Sequence, residues 1–178
     1  MGKPALVAID VGAESGRAVV ARLEGDRLEC EEVHRFGNGP VRIGERLHWD
    51  VLRLFEEVKR GLSLGARSTG GDIGSIGLCT WGVDSALLDA EGELLGNPYC
   101  YRDPRTGPMM DEVFARIPRE VIFEHTGIQF MPLNTLYQLY ATRVLKPSLL
   151  GAAGTLLMMP DLFNYWLGGE RVSELTIA

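Results

Sequence analysis

Ala5-Leu6-Val7-Ala8-Ile9-Asp10-Val11-Gly12-Ala13-Glu14-Ser15-Gly16-Arg17 is the stretch from which the chain is best read. A short apolar run, Ala5 to Ile9, delivers an acid, Asp10. A glycine-bearing turn follows, then Arg17 and a second apolar run, Ala18 to Leu23. Apolar runs bounded by turn residues read as strands, so the pattern is strand, acid, turn, strand. Two uses of it stay open on local grounds. One is a phosphate cradle: glycines let backbone approach an anion, turn amides act as donors, and a carboxylate at a strand end can hold hydrated Mg²⁺. The other is an ordinary β-hairpin with Asp10 and Arg17 as solvated tips.

The remaining chain narrows the class. Its 178 residues match the size of one domain, and 46% hydrophobic with 24% charged residues is an ordinary globular balance. A net charge of -6 argues against a general nucleic-acid binder. No apolar stretch approaches the roughly 18 residues of a membrane span. Met1-Gly2-Lys3-Pro4 lacks the apolar region of a secretory leader, and Leu6 stands where a myristoylation signal wants Ser or Thr. Cys30, Cys79 and Cys100 are odd in number and far apart, which fits neither a metal site nor a disulfide framework. The expectation is a reduced, cytoplasmic protein with neither nucleic-acid nor membrane partners.

Outward from the first turn, Gly25-Asp26 separates the second strand from a third over Leu28 to Phe36, and two tight turns in succession predict an antiparallel meander. Gly37-Asn38-Gly39-Pro40 ends it, and a short fourth strand through Leu47-His48-Trp49 is an option. Asp50 caps a helix whose apolar face is Val51, Leu54, Phe55, Val58 and Leu62, fading within the Gly- and Ser-rich segment 63–72. Ile73 to Thr80 is a strand, and Ala86 to Asp89 another. Helices follow around Met110 to Ile117, Val121 to Phe123 closed by Gly127, and Asn134 to Leu145 stopped by Pro147. Thr155 to Met159 is a buried strand that leads into a helix from Pro160-Asp161 to Gly168-Gly169. His34, His48 and His125 show no metal spacing and read as structural.

Two further stretches admit a functional reading. Trp81-Gly82-Val83-Asp84 is either a pocket wall or a core tryptophan followed by a turn acid. Tyr99-Cys100-Tyr101-Arg102-Asp103-Pro104-Arg105-Thr106 holds the side chains that recognise sugar hydroxyls, or is a solvated loop with an Arg–Asp pair.

Taken in order, DVGAESGR, HRFGNG, TWGVD, YRDPRT and GIQFMPLNTLYQL resemble the FGGY carbohydrate kinases, within the actin/hexokinase/Hsp70-like ATPase superfamily. MPDLFNYWLGGE looks like that family's strand-helix segment. The combination points, inside the family, to members that phosphorylate L-rhamnulose at O1. The resemblance implies an α/β, ribonuclease H-like fold with a mixed five-stranded sheet flanked by helices. It implies ATP and Mg²⁺, and catalysis by positioning and charge neutralisation. By position, Ala13, Glu14, Ser15, Gly16 and Arg17 match the ATP-phosphate loop and Asp10 the acid that holds Mg²⁺ through water. Trp81, Gly82, Asp84, Arg102 and Asp103 fall where the family lines its sugar pocket, with Gln129 and Asn134 on the same wall. Cys79 stands where the pattern carries Asp, and Ser85 where it carries an aromatic residue.

The family's catalytic base lies in a later stretch that has no match here. The expectation is therefore that residues 1–178 are part of an N-terminal FGGY domain. The later part of that domain and the C-terminal ATP-binding domain would be absent, leaving a fragment inactive alone and with apolar surface exposed. The alternatives are a kinase for a related ketose or polyol, and a non-catalytic sugar-binding module.

Overall fold

The structure, a computed structural model, describes residues 4–177. The readings placed on Met1 to Lys3 and on Ala178 lie outside the described residues. The chain divides into two compact units. Met1–Gly39, Asp50–Trp81 and Met159–Val172 form the first; Pro40–Trp49, Gly82–Met158 and Ser173–Ala178 form the second.

The first unit is built on the expected meander. Strands β1 (Ala5–Val11), β2 (Ser15–Glu24) and β3 (Arg27–Gly37) pair antiparallel in succession. The two-residue turn between β2 and β3 places Gly25 at φ 66°, where a side chain would be strained. β1 alternates buried and exposed, with Ala5, Val7, Ile9 and Val11 on the covered face. Strand β6 (Ile73–Thr80) runs parallel to β1 and gives the mixed order β3-β2-β1-β6. Among the described residues this sheet has four strands where the resemblance implies five, and β1 is the one strand paired with β6.

Helix α1 (Val51–Ser68) covers the sheet. Asp50 caps it, accepting from the Arg53 amide at 3.2 Å. The helix ends at Ser68, inside the Gly/Ser segment, and Gly61 and Gly65 lie on its contact surface with the strands. A Cβ on Gly61 would lie 2.8 Å from the Ala18 Cβ, and one on Gly65 would lie 3.2 Å from a Val7 methyl. The absent side chains let the helix axis approach the strands, which offsets glycine's poor helix propensity. Helix α6 (Met159–Gly168) completes the unit. Phe163 stacks with Phe55 of α1 at 6.3 Å, and Trp166 meets the same ring edge-on at 5.1 Å.

The second unit is mainly helical. Strands β4 (Pro40–Ile43) and β5 (Arg46–Trp49) form a hairpin turned at Gly44, so Pro40, read as part of a strand-ending loop, begins a strand. β7 (Ser85–Leu88) pairs antiparallel with β8 (Thr155–Met158). Helices α2 (Met109–Phe114), α3 (Arg119–Thr126) and α4 (Thr135–Leu145) enclose a core of Met109, Val113, Ile122, Tyr137 and Ala141. Gly127 ends α3 in the left-handed conformation, as the sequence suggests. Pro147 ends α4 and also opens a short helix α5 (Pro147–Gly151), since a first-turn proline lacks only an amide that has no helical partner anyway. Leu6, Ile43, Ile76 and Phe123 are each more than two-fifths exposed.

Candidate functional site

In the first unit, register brings the charged residues together. Asp10 lies directly across from Arg17 on β2 and from Cys79 on β6. Neighbours in adjacent strands share a face, so the three side chains form one row. Arg17 grips one carboxylate oxygen of Asp10 with Nε at 3.0 Å and Nη2 at 2.9 Å. The Cys79 thiol donates to the other oxygen at 3.6 Å. Burial, and then the charge of Asp10, push the Cys79 thiol above its ordinary pKa. An acid in place of Cys79 would set two like charges side by side; the thiol supplies a weak donor instead. Asp10 keeps a side chain 46% exposed.

The loop between β1 and β2 is closed by the Gly12 amide donating to the Ser15 carbonyl at 2.8 Å. It is also stapled from outside by a residue the sequence reading did not single out. The Asn38 side-chain amide donates to the Gly12 carbonyl at 2.8 Å, and the Asn38 backbone amide donates to the Glu14 carbonyl at 2.9 Å. Asn38 thus fixes the two carbonyls flanking Ala13. Its signal in the sequence was the HRFGNG stretch, where Asn-Gly read as the end of a strand. Gly16 is buried and its open Cα face is filled by a ring: a Cβ there would lie 2.2 Å from the Phe36 Cζ. Glu14 and Ser15 stand exposed at the tip.

No group of three or more His, Cys, Asp or Glu able to hold a metal occurs among the described residues. A lone, half-exposed carboxylate does suit an ion that keeps most of its ligands as water and phosphate oxygen, as Mg²⁺ does.

In the second unit, Asp84 is fully buried and holds three elements. Its Oδ2 accepts from the Trp49 indole at 2.5 Å and from the Tyr101 amide at 3.2 Å, while its Oδ1 accepts from the Gln138 side chain at 2.8 Å. Gln138 is the second residue missed by the sequence reading, although it sits inside the NTLYQL stretch. Its amide also reaches the carbonyls of Leu133 at 2.9 Å and Val83 at 3.2 Å. Val83 adopts φ 67°, a strained state for a β-branched residue. The Thr135 hydroxyl, donating to the Val83 carbonyl at 2.9 Å, helps to hold it. Two side chains, Gln138 and Thr135, thus hold the strained Val83 beside an exposed Gly82.

Asp103 is likewise turned inward. It accepts from the Leu47 amide at 2.6 Å and from the Arg105 amide at 2.9 Å, with Arg46 3.5 Å away. Arg102 is exposed, with its guanidinium over the Tyr101 ring at 5.2 Å. Asn134 occupies the N-cap position of α4 without capping it; its side chain donates to the Gln129 carbonyl at 2.8 Å, joining the two residues. Of the residues expected on a sugar wall, Gly82, Asp84, Arg102, Asp103, Gln129 and Asn134 fall in this unit, and Trp81 closes the first unit's chain segment.

Burial pushes the Cys100 thiol up to about 11. The proton is held more tightly in the folded chain than at the ordinary value of 9.0, so this contribution to stability is present below pH 9 and lost as pH rises toward 11. The Cys100→Ala variant is expected to show a shallower fall in urea midpoint between those pH values than the parent. Parallel slopes would refute it. At pH 8, alkylation by iodoacetamide is expected at exposed Cys30 and not at buried Cys100.

Residues 5–178 match the N-terminal domain profile of the FGGY family of carbohydrate kinases. The chain belongs to that family. Among curated FGGY relatives, it is 41% identical over 172 residues to a rhamnulokinase of Oceanobacillus iheyensis, covering 97% of this chain and 36% of that protein. It is 43% identical over 171 residues to a rhamnulokinase of Bacteroides thetaiotaomicron, covering 96% and 35%. The chain therefore spans about a third of the length of the curated relatives it matches. Among solved FGGY structures, a ligand-bound xylulose kinase from Lactobacillus acidophilus aligns with TM-score 0.85 at 18% identity, over 97% of this chain and 35% of that one. A carbohydrate kinase from Novosphingobium aromaticivorans aligns at 0.81 and 23% identity, over 99% and 36%. The α/β fold expected from the resemblance is that of these kinases.

Proposed function

We propose that this chain is the N-terminal part of an ATP-dependent kinase that phosphorylates L-rhamnulose at O1. The observation that carries the substrate is 40 to 44% identity to six rhamnulokinases over nearly the whole chain. In this reading the loop Ala13, Glu14, Ser15, Gly16 and Arg17 receives the ATP phosphates. Asn38 holds the loop's carbonyls so that backbone amides and Arg17 meet the anion. Asp10 holds Mg²⁺ through water, and that ion would supply charge neutralisation to the transferring phosphoryl group. Trp81, Gly82, Asp84, Arg102, Asp103, Gln129 and Asn134 form or brace the sugar wall. The braced ones, Asp84 and Asp103, act by fixing Val83 and the Tyr99–Thr106 loop. The catalytic base belongs to a segment beyond residue 178, as does the ATP-binding domain. Among the described residues β6 is an edge strand of this sheet, which supports a sheet that continues there. A reaction that consumes ATP supports a cytoplasmic location.

The test joins this chain to its downstream reading frame and assays ADP release with L-rhamnulose, L-fuculose, D-xylulose and glycerol. We expect kcat/KM for L-rhamnulose to exceed the others by roughly a hundredfold, since hydroxyls read by buried polar groups discriminate strongly. The 178-residue chain alone is expected to show no turnover. A higher kcat/KM for another ketose would favour the second reading, which the departures at Cys79 and Ser85 support: a kinase of the same family with a different sugar. Sugar binding without ATPase activity in the intact protein would overturn both.

A further inference from the structure

The second unit contains a cavity of about 290 Å³, walled in the main by Ile43, Leu87, Leu95, Tyr99, Leu139 and Leu149. None of Gly82, Val83, Asp84, Arg102 or Asn134 lines it. Ser85 does, and it stands where the family's pattern carries an aromatic residue, so a ring that would enter this space is missing.

The polar groups of the wall are not equally available. Arg105 Nη1 donates to the Thr142 hydroxyl at 2.8 Å, and that hydroxyl donates to the Gln138 carbonyl at 3.0 Å. Arg105 Nε is sealed from the cavity, the guanidinium lies 3.8 Å from the centroid of the Tyr99 ring, and the charges of Asp103 and Asp84 act on it. This cation asks for no further anion. Gln138 is different. It is 5% exposed, and its Nε2 is turned to the carbonyls of Val83 and Leu133 and to the Asp84 carboxylate. Only the nitrogen can donate to three oxygens, so the orientation of the amide is fixed. Its Oε1 is left without a partner among the described residues, and it keeps accessible surface. A buried acceptor is costly until something donates to it. The Ser85 hydroxyl likewise bonds to nothing among the described residues. His48 Nδ1 lies 2.9 Å from the Asn97 carbonyl, which can only accept, so Nδ1 is the donor and Nε2 of the neutral ring is a further acceptor. The Asn97 side chain is exposed.

We infer that this cavity takes a small uncharged aliphatic diol, with a hydroxyl donating to Gln138 Oε1 and its hydrocarbon body against the leucines. Gln138 Oε1 and His48 Nε2 only accept and the Ser85 hydroxyl does either, so the occupant must bring donors, as hydroxyls do. A carboxylate would meet those acceptors with lone pairs. A polyol without an apolar body would leave hydroxyls unpaired against the leucines. The volume is at the small end of ligand pockets. This inference does not depend on the kinase reading.

The experiment is an NMR titration of the 178-residue chain with pinacol, with pinacolone as the acceptor-only ketone of similar shape, with pivalate and with glycerol. Saturable shifts at Ser85, Leu139 and the Gln138 side-chain amide are expected with pinacol. Pinacolone should bind roughly tenfold more weakly or worse, because it leaves the buried acceptor unmet. Pivalate and glycerol should give no saturable shift. Ser85→Phe restores the family's aromatic residue, sets a ring into the cavity and leaves Gln138 in place. It should abolish binding while the variant keeps the parent's dispersed spectrum. Ser85→Ala is the milder second variant; it removes only the hydroxyl and should weaken pinacol by about fivefold. Equal binding of pinacol and pinacolone, preference for pivalate or glycerol, no saturable shift with pinacol, or undiminished binding to folded Ser85→Phe or to Ser85→Ala would each overturn the proposal.

Discussion

Asp84→Ala is expected to lower stability by about 3 to 5 kcal/mol, the range for removing one partner from a buried charged network. The change removes the acceptor of the Trp49 indole, the Tyr101 amide and the Gln138 amide, of which the last keeps the Leu133 and Val83 carbonyls. With no solvent at the site, none can recover its bond from bulk water. Asp84→Asn keeps the shape and one acceptor oxygen, so its loss should be about half as large. Urea unfolding followed by circular dichroism measures both, with the slope unchanged if only the native state is affected. A loss below about 1 kcal/mol for Asp84→Ala would mean the network is not as closed as its geometry. In the intact kinase a bracing role also predicts that Asp84→Asn affects sugar KM through Val83 rather than ATP binding.

Gly16→Ala is the second large effect. The new methyl would overlap the Phe36 ring, and Phe36 is itself buried, so ring or strand must move. Overpacking of this kind costs about 1 to 3 kcal/mol. Pairing it with Phe36→Leu separates two roles for the glycine. If Gly16 serves packing, the double variant recovers part of the loss, with a coupling of about 1 kcal/mol or more. If the backbone's approach to phosphate is what needs glycine, stability recovers while ATP affinity of the intact enzyme stays low. A strictly additive pair would refute the packing account.

The alternation in β1 and β2 and the apolar stripe of α1 made the first unit legible, because each pattern reports a single buried face. The β4–β5 hairpin was harder: its four-residue strands are too short for periodicity to separate from a loop. Helix α1 ends at Ser68, inside the segment where it was expected to fade, but the role of its glycines was not legible, because glycine carries opposite meanings, a poor helix former in isolation and a close-contact residue against a sheet. The acids were the main ambiguity. Asp10, Asp84 and Asp103 look alike in sequence, yet Asp10 remains half exposed while the other two are sealed inside and bonded to backbone amides. Burial depends on chain segments far away, so no local pattern distinguishes them. Asn38 and Gln138 escaped notice for the same reason: their partners lie 26 and 54 positions off in sequence.

The three separate segments of the first unit bear on how the chain is made. The β1–β2–β3 meander closes by local turns and can form as soon as it leaves the ribosome. Strand β6 must wait for α1, and the stacking of Phe163 on Phe55 waits for everything in between. A nascent chain halted before α6 would hold a sheet with part of its helical cover still unsynthesised, and Phe55 of α1 would be open to chaperones until the last segment arrives.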